Sequence, residues 1–396
     1  MPKFNAEKIS KLKKIDRLFK ALYLNPKNKK HYPPINKSDV SEIALMGIWL
    51  IGDTIMHIPV LNVIKNNFPN ARVTVVCEKQ TEVILRSQNL INEFVIIKTP
   101  WVVPTDYSLK SLTKFFSSIR LVNRKRYDVA IEFRGDWRSI LYMNFINSQR
   151  KVSYNYSGGD YMLTDVINPN EDIKNLTAES LYLLKQIGCT FSESDRIPRL
   201  KLTSADYDYL SAFSLNNKLS GNFIIGIHPG TTQEVKRWDE NKYSELIIKL
   251  SNTFDNCCFI IYEGPNERNT VSTIESVLNN HKINFLVVNK SLREYVLLIS
   301  LSQVLICNDS GAAHIAGAYS IPVVVIFGNR GPEFVVPYGS TQQAIISHEL
   351  ECKPCLKTYC ILGTKLCLTG VSVEEVFIKT YDIINAVLKP NSIPNL

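Results

Sequence analysis

Short apolar runs of strand length recur along the chain, each followed by a segment long enough for a helix. Ile43 to Ile51 reads as a buried strand that ends at Gly52-Asp53. The next segment carries Val60, Leu61, Val63 and Ile64 and stops near Phe68-Pro69, which predicts a helix. Arg72 to Cys77, Phe94 to Ile97 and Val129 to Phe133 repeat the pattern. It restarts at Phe223 to Ile227 and runs through Cys258 to Tyr262, Phe285 to Val288, Val304 to Cys307 and Val323 to Phe327. Alternating β and α of this kind predicts parallel sheets covered by helices, and the restart fits two doubly wound sheets better than one.

Helix-start signals support the second half. Asp239 precedes a stripe of Tyr243, Leu246, Ile247 and Leu250, and Ser291 with Glu294 forms a capping box. The polar, weakly patterned stretch from about Glu193 to Asn222 is the linker candidate, with the boundary placed near Leu200. A closing helix over Ser372 to Leu388 is expected to pack back on the first domain, by analogy with two-lobed transferases. Three segments result: a basic extension over residues 1–40, a Rossmann-like acceptor domain over 41–200, and a Rossmann-like donor domain over 201–396.

At 396 residues, with 45% hydrophobic and 21% charged, the chain can bury two ordinary cores. No apolar run approaches the roughly 20 residues of a membrane span, and the N-terminus lacks a secretory pattern, so a cytoplasmic protein is expected. Nine cysteines are then read first as thiols or metal ligands. The net charge of +9 is uneven, because the first 30 residues hold ten Lys or Arg against Glu7 and Asp16. Within them Ile9, Leu12, Ile15, Phe19 and Leu22 recur at helical steps among lysines, a basic amphipathic helix. Such a helix either packs on the enzyme's own surface or docks peripherally on the inner face of the cell membrane. No nucleic-acid partner is expected.

Neither a dinucleotide fingerprint nor a P-loop follows any predicted strand, which argues against a dehydrogenase and a P-loop phosphotransferase. Phosphate must be held otherwise. Asn308-Asp309-Ser310-Gly311-Ala312-Ala313-His314 lies between a strand and a helix of small residues. Ser310 and Gly311 are read either as a helix cap or as a seat for a diphosphate at the positive helix end, with His314 one turn on. Gly226-Ile227-His228-Pro229-Gly230-Thr231-Thr232, followed by Lys236-Arg237-Trp238, also follows a strand, where open α/β sheets bind ligands. Lys236, Thr231 and Thr232 suit leaving-group oxygens that gain negative charge. Asp53 is read either as a general base for an acceptor hydroxyl or as a helix N-cap. Arg134, Asp136 and Arg138 follow the Val129 to Phe133 strand and suit an anionic acceptor. Cys352, Cys355, Cys360 and Cys367 crowd into 16 residues, which leaves a structural metal, disulfides and plain thiols as readings.

Taken in order, Gly52-Asp53 with Pro59 and Phe68-Pro69-Asn70-Ala71, the HPG…KRW segment, and DSGAAHIAGA…PVVVIFG resemble the successive signatures of the lipopolysaccharide heptosyltransferases, glycosyltransferase family 9. The resemblance covers Ile43 to Leu388, including Tyr127 to Ile131 with a following Arg-Gly, and leaves out the first 40 residues. It implies the GT-B architecture, two Rossmann-like doubly wound domains facing an interdomain cleft. It also implies an inverting, metal-independent transfer of heptose from ADP-heptose to a lipopolysaccharide core or another surface glycan. Asp53 would be the base. Thr231, Thr232, Lys236, Asp309, Ser310, Gly311 and His314 would hold the donor diphosphate, and Glu267, or Glu263 in another register, the ribose. No catalytic cofactor is implied, and similar cysteine clusters recur among relatives. The rival readings are a sugar-nucleotide epimerase or hydrolase on the same fold, transfer to a protein acceptor, and a non-catalytic binding protein.

Overall fold

The computed structural model describes residues 6–22, 34–99, 117–340, 342–355 and 357–389. The chain divides into two compact units, Met1–Ile197 and Pro198–Leu396.

In the first unit six parallel strands form one sheet: β1 (Glu42–Gly47), β2 (Arg72–Cys77), β3 (Glu93–Ile96), β4 (Tyr127–Glu132), β5 (Ser148–Tyr154) and β6 (Asp165–Ile167). Their spatial order is β3-β2-β1-β4-β5-β6, the doubly wound order whose direction of winding reverses between β1 and β4. Ile43, Ala44 and Leu45 of β1 face Val129, Ala130 and Ile131 of β4 in register, and all but Val129 are wholly buried. A parallel sheet covered on both faces requires such apolar strands.

The second unit repeats the plan with β7 (Phe223–His228), β8 (Cys257–Tyr262), β9 (Phe285–Val288), β10 (Val304–Asn308), β11 (Val323–Phe327) and β12 (Gln343–Ser347), in the order β12-β11-β10-β7-β8-β9. Here the reversal lies between β7 and β10, which pair from Val304↔Ile225 to Cys307↔His228.

Several expectations need correction. The apolar run from Ile43 is not one strand: β1 ends at Gly47, Trp49 N–H turns back to the Gly47 carbonyl, and a helix begins at Ile51. The presumed linker is partly a helix, Ser204–Asn216, closed at its start by a reciprocal Thr203/Asp206 capping box. Only Asp206 and Leu210 of that helix are buried, which explains its weak pattern. Three strands of the sheets, β5, β6 and β12, had no counterpart in the apolar pattern, because β5 opens on Ser148-Gln149-Arg150-Lys151 and the other two lie at sheet edges. The helix Val373–Leu388 packs within the second unit, on the helix Glu240–Thr253 and on β12, and contributes Val373, Val376, Ile383 and Ile384 to that unit's core.

The helix Ala6–Leu22 is set on the first unit. Its apolar stripe is only partly the one expected. Leu12 packs on the protein and Phe19, though 38% exposed, lies edge-on to Trp137 at 5.2 Å, while Leu18 is 69% exposed and Ile15 41%. The buried residue at the centre of the contact is the acid Asp16, whose carboxylate accepts the Gly159 N–H at 2.9 Å.

Candidate functional site

Each unit carries most of its candidate residues at the carboxyl end of the two strands that flank its winding reversal, where open α/β sheets hold ligands, and Glu267 follows the neighbouring β8.

In the first unit, Asp53 follows β1 in the first turn of the helix Ile51–Asn67. It is not the N-cap: Leu50 occupies that position without a side-chain hydrogen bond. The Asp53 carboxylate instead accepts Arg134 Nη1 at 3.1 Å, and Arg134 comes from the loop after β4. One turn along the helix, His57 is wholly buried and stacks on Trp49 with ring centroids 4.1 Å apart. Its Nδ1 lies 2.7 Å from the Asp53 carbonyl and its Nε2 3.2 Å from Ser180 Oγ. Burial drives the imidazole pKa down to about 4, so the ring is neutral.

Glu132, the last residue of β4, had no place among the expected site residues. Its Oε2 accepts the N–H groups of Arg134 and Gly135 and the hydroxyl of Ser153, so it fixes the loop that aims Arg134 at Asp53. Burial pushes its pKa up to about 7 against those three donors. The sequence signal was a carboxylate between Ile131 and Phe133 in an otherwise apolar run. Asp136 N-caps the helix Trp137–Asn144 through the Arg138 N–H, and its two oxygens take Arg138 Nε at 2.9 Å and Nη2 at 2.5 Å. Arg138 is thus engaged within its own loop.

In the second unit, the loop after β7 and the loop after β10 are brought together by Asn308. This fully buried amide donates to the Pro229 carbonyl at 2.7 Å and accepts the Trp238 N–H at 3.0 Å. Across the same two loops Lys236 Nζ lies 2.5 Å from Asp309 Oδ2. Thr231 is buried, with its carbonyl 3.3 Å from Arg237 Nη2, and Thr232 is exposed.

Ser310 is the N-cap of the helix Gly311–Ala318, yet its hydroxyl makes no capping bond. Its Oγ is shielded from solvent and has no partner among the described residues. The first N–H groups of that helix have no partner within the helix, as at any helix start. His314 is buried in the second turn of the helix.

Glu267 is buried and reaches across to the other loop. Its carboxylate accepts the Gly264 N–H at 2.7 Å and lies against Gly230. Glu263 is engaged elsewhere, with Arg268 at 3.0 Å and with Asn289 Nδ2. Glu267 is therefore the acid that lies beside the HPG loop. Asn308 and Arg237 were overlooked as site builders, although a buried amide at a strand end is a signal that backbone is being held there.

The four clustered cysteines line one small pocket with Lys353 and Leu366, and all nine cysteines of the chain are unpaired thiols. Cys360 Sγ receives the Lys365 N–H at 3.4 Å. Of the three readings of this cluster the structural metal is not supported, since among the described residues no three His, Cys, Asp or Glu side chains are grouped as an ion requires.

The sequence profile of glycosyltransferase family 9 (heptosyltransferase) matches residues 115–366. The chain is 22% identical over 335 residues to a lipooligosaccharide heptosyltransferase 2 of Campylobacter jejuni, covering 83% of this chain and 93% of that one. Among solved structures it is similar to a family 9 glycosyl transferase from Veillonella parvula, at TM-score 0.75 and 17% identity over 90% of this chain and 100% of that one. It is also similar to the Escherichia coli ADP-heptose lps heptosyltransferase II, at TM-score 0.69 and 19% identity over 87% and 99%. The two six-stranded Rossmann-like units are those of the GT-B fold. Doubly wound strand order, the loops held by Asn308 and the profile match lead to one assignment: the chain is a transferase that belongs to glycosyltransferase family 9, the heptosyltransferases.

Proposed function

We propose that this transferase moves heptose from ADP-heptose to a lipopolysaccharide core or related surface glycan, with inversion and without a catalytic metal. The observation that carries the donor side is the unpartnered, shielded Ser310 hydroxyl at a helix N-terminus beside the Lys236–Asp309 pair. A diphosphate there would accept the Ser310 hydroxyl, the first helical N–H groups and the Lys236 ammonium. Its second phosphate would gain negative charge as the glycosidic bond breaks, and Lys236 would stabilise that charge more than the ground state. Glu267, beside Gly230, is read as the ribose acid. The name of the E. coli structural relative supports ADP-heptose as the donor.

On the first unit Asp53 is proposed to take the proton of the acceptor hydroxyl, with Arg134 holding its carboxylate in one orientation. Arg134 and Arg138 are further proposed to meet an anionic acceptor. Peripheral attachment to the inner membrane face is the proposed setting, since the acceptor would be a glycolipid.

The test is calorimetric titration with ADP-heptose, UDP-glucose and GDP-mannose, followed by transfer to a lipopolysaccharide-core acceptor. Selective binding of ADP-heptose with acceptor-dependent release of ADP supports the reading. Release of ADP without any acceptor would replace it with hydrolysis.

A further inference from the structure

We propose that the outward face of the helix Ala6–Leu22 is a docking surface for an anionic lipid bilayer. The inference rests on the peripheral-membrane setting above and assigns it to named residues. The helix has two unlike faces. Leu12, Asp16 and Phe19, spaced four and three apart, face the protein, and Lys20 pairs with Asp160 at 3.2 Å beside them. Asp16 fixes this side. Its carboxyl occupies the space a side chain on residue 158 would need, 2.5 Å from a Cβ there, and Gly158 has φ +108°. Only a glycine turn lets the backbone come so close to the carboxylate.

With that side anchored, the adjoining stripe stays in solvent. Lys11, Lys14, Ile15 and Leu18 follow the i, i+3, i+4, i+7 spacing of one helical face. Leu18 is 69% exposed and Ile15 41% exposed, with Lys13 and Arg17 exposed along the flank. Two large aliphatic side chains among exposed cations fit a headgroup layer, where the methyl groups enter the acyl boundary and the lysines meet lipid phosphates. No helix among the described residues is long and apolar enough to cross a membrane, so the contact would lie in the interface plane. An acidic protein partner would satisfy the charges but not the aliphatic pair at the crest.

The test is co-sedimentation of the full chain with phosphatidylcholine vesicles, with and without roughly one-quarter phosphatidylglycerol. The wild type is compared with the double variant Lys14→Glu, Leu18→Asp. Both positions are solvent-facing, and an unchanged melting temperature reports that the variant folds. The wild type should bind anionic vesicles about tenfold or more tightly than neutral ones and should release at high salt. The double variant should lose at least about tenfold in vesicle affinity while transferring heptose to a lipid-free acceptor at the wild-type rate. Equal vesicle binding by variant and wild type would overturn the assignment of this face and leave the peripheral setting intact. Failure of the wild type to bind any vesicle would overturn both. Lipid-independent self-association lost in the variant would assign the face to a second copy of the chain and overturn the lipid reading.

Discussion

The carboxylate of Glu267 fills the space that a side chain on residue 230 would occupy: a Cβ built on Gly230 would lie 1.8 Å from the Glu267 carboxyl carbon. Glycine at the turn of the HPG loop therefore sets how closely the acid can approach.

Gly230→Ala should displace Glu267 and weaken donor binding by about tenfold, with a smaller effect on kcat, because overpacking of this size costs about 1–3 kcal/mol. Calorimetric titration with ADP-heptose measures it. An unchanged Kd would mean that Glu267 takes no part in donor binding.

Asp53→Asn should lower kcat by roughly 10²- to 10⁴-fold with donor affinity nearly unchanged, as expected for loss of a general base. The amide still offers Arg134 an oxygen, so the variant should fold. Wild-type turnover would remove Asp53 from the chemistry.

Lys236→Ala should reduce kcat by roughly 10²-fold and also lower the melting temperature, because Asp309 is left as a buried charge without its partner. Adding Asp309→Asn should restore the melting temperature and leave activity low. If the double variant recovered activity as well, the lysine would serve only to neutralise the aspartate.

Asn308→Ala should destabilise the second unit by about 1–3 kcal/mol, since the Trp238 N–H would be left buried without an acceptor. Denaturant melts give the stability, and donor affinity should fall in parallel because both loops lose their tie. Loss of stability with unchanged affinity would show that the loops hold their shape without the amide.

Glu132 gives a pH dependence. Its folded pKa of about 7 lies above the ordinary carboxylate value, so the folded chain binds this proton more tightly than the unfolded one. The resulting stability is fully present below pH 4.5 and is lost as pH rises towards 7. Glu132→Gln should therefore match the wild type near pH 4.5 and exceed it above pH 7 by up to roughly 3 kcal/mol. Melting temperatures from pH 5 to 8 would show the two curves separating, and parallel curves would refute the raised pKa.

Much of the fold was legible because buried parallel strands must be apolar throughout, as in β1, β7 and β10. Edge strands carry less of that requirement, and β6 and β12 escaped for that reason, whereas β5 escaped because its first four residues are polar. The loops around Lys236 and Ser310 could be found because glycine, proline and small residues mark backbone that lies close to its neighbours. Contacts between distant positions were not legible. Nothing local to Arg134 says that it meets Asp53, and nothing in a basic segment says that Asp16 would be its anchor.

The Val371 carbonyl accepts both the Trp238 indole N–H at 3.1 Å and Lys242 Nζ at 2.8 Å. The family profile ends at residue 366, yet Val371, Val376 and Ile384, beyond it, are wholly buried. A chain ended at residue 366 would keep the loops around Lys236 and Ser310 and lose the floor beneath the KRW segment. Recognition of the family thus rests on fewer residues than the core of the second unit, and such a chain should lose stability with Val371, Val376 and Ile384.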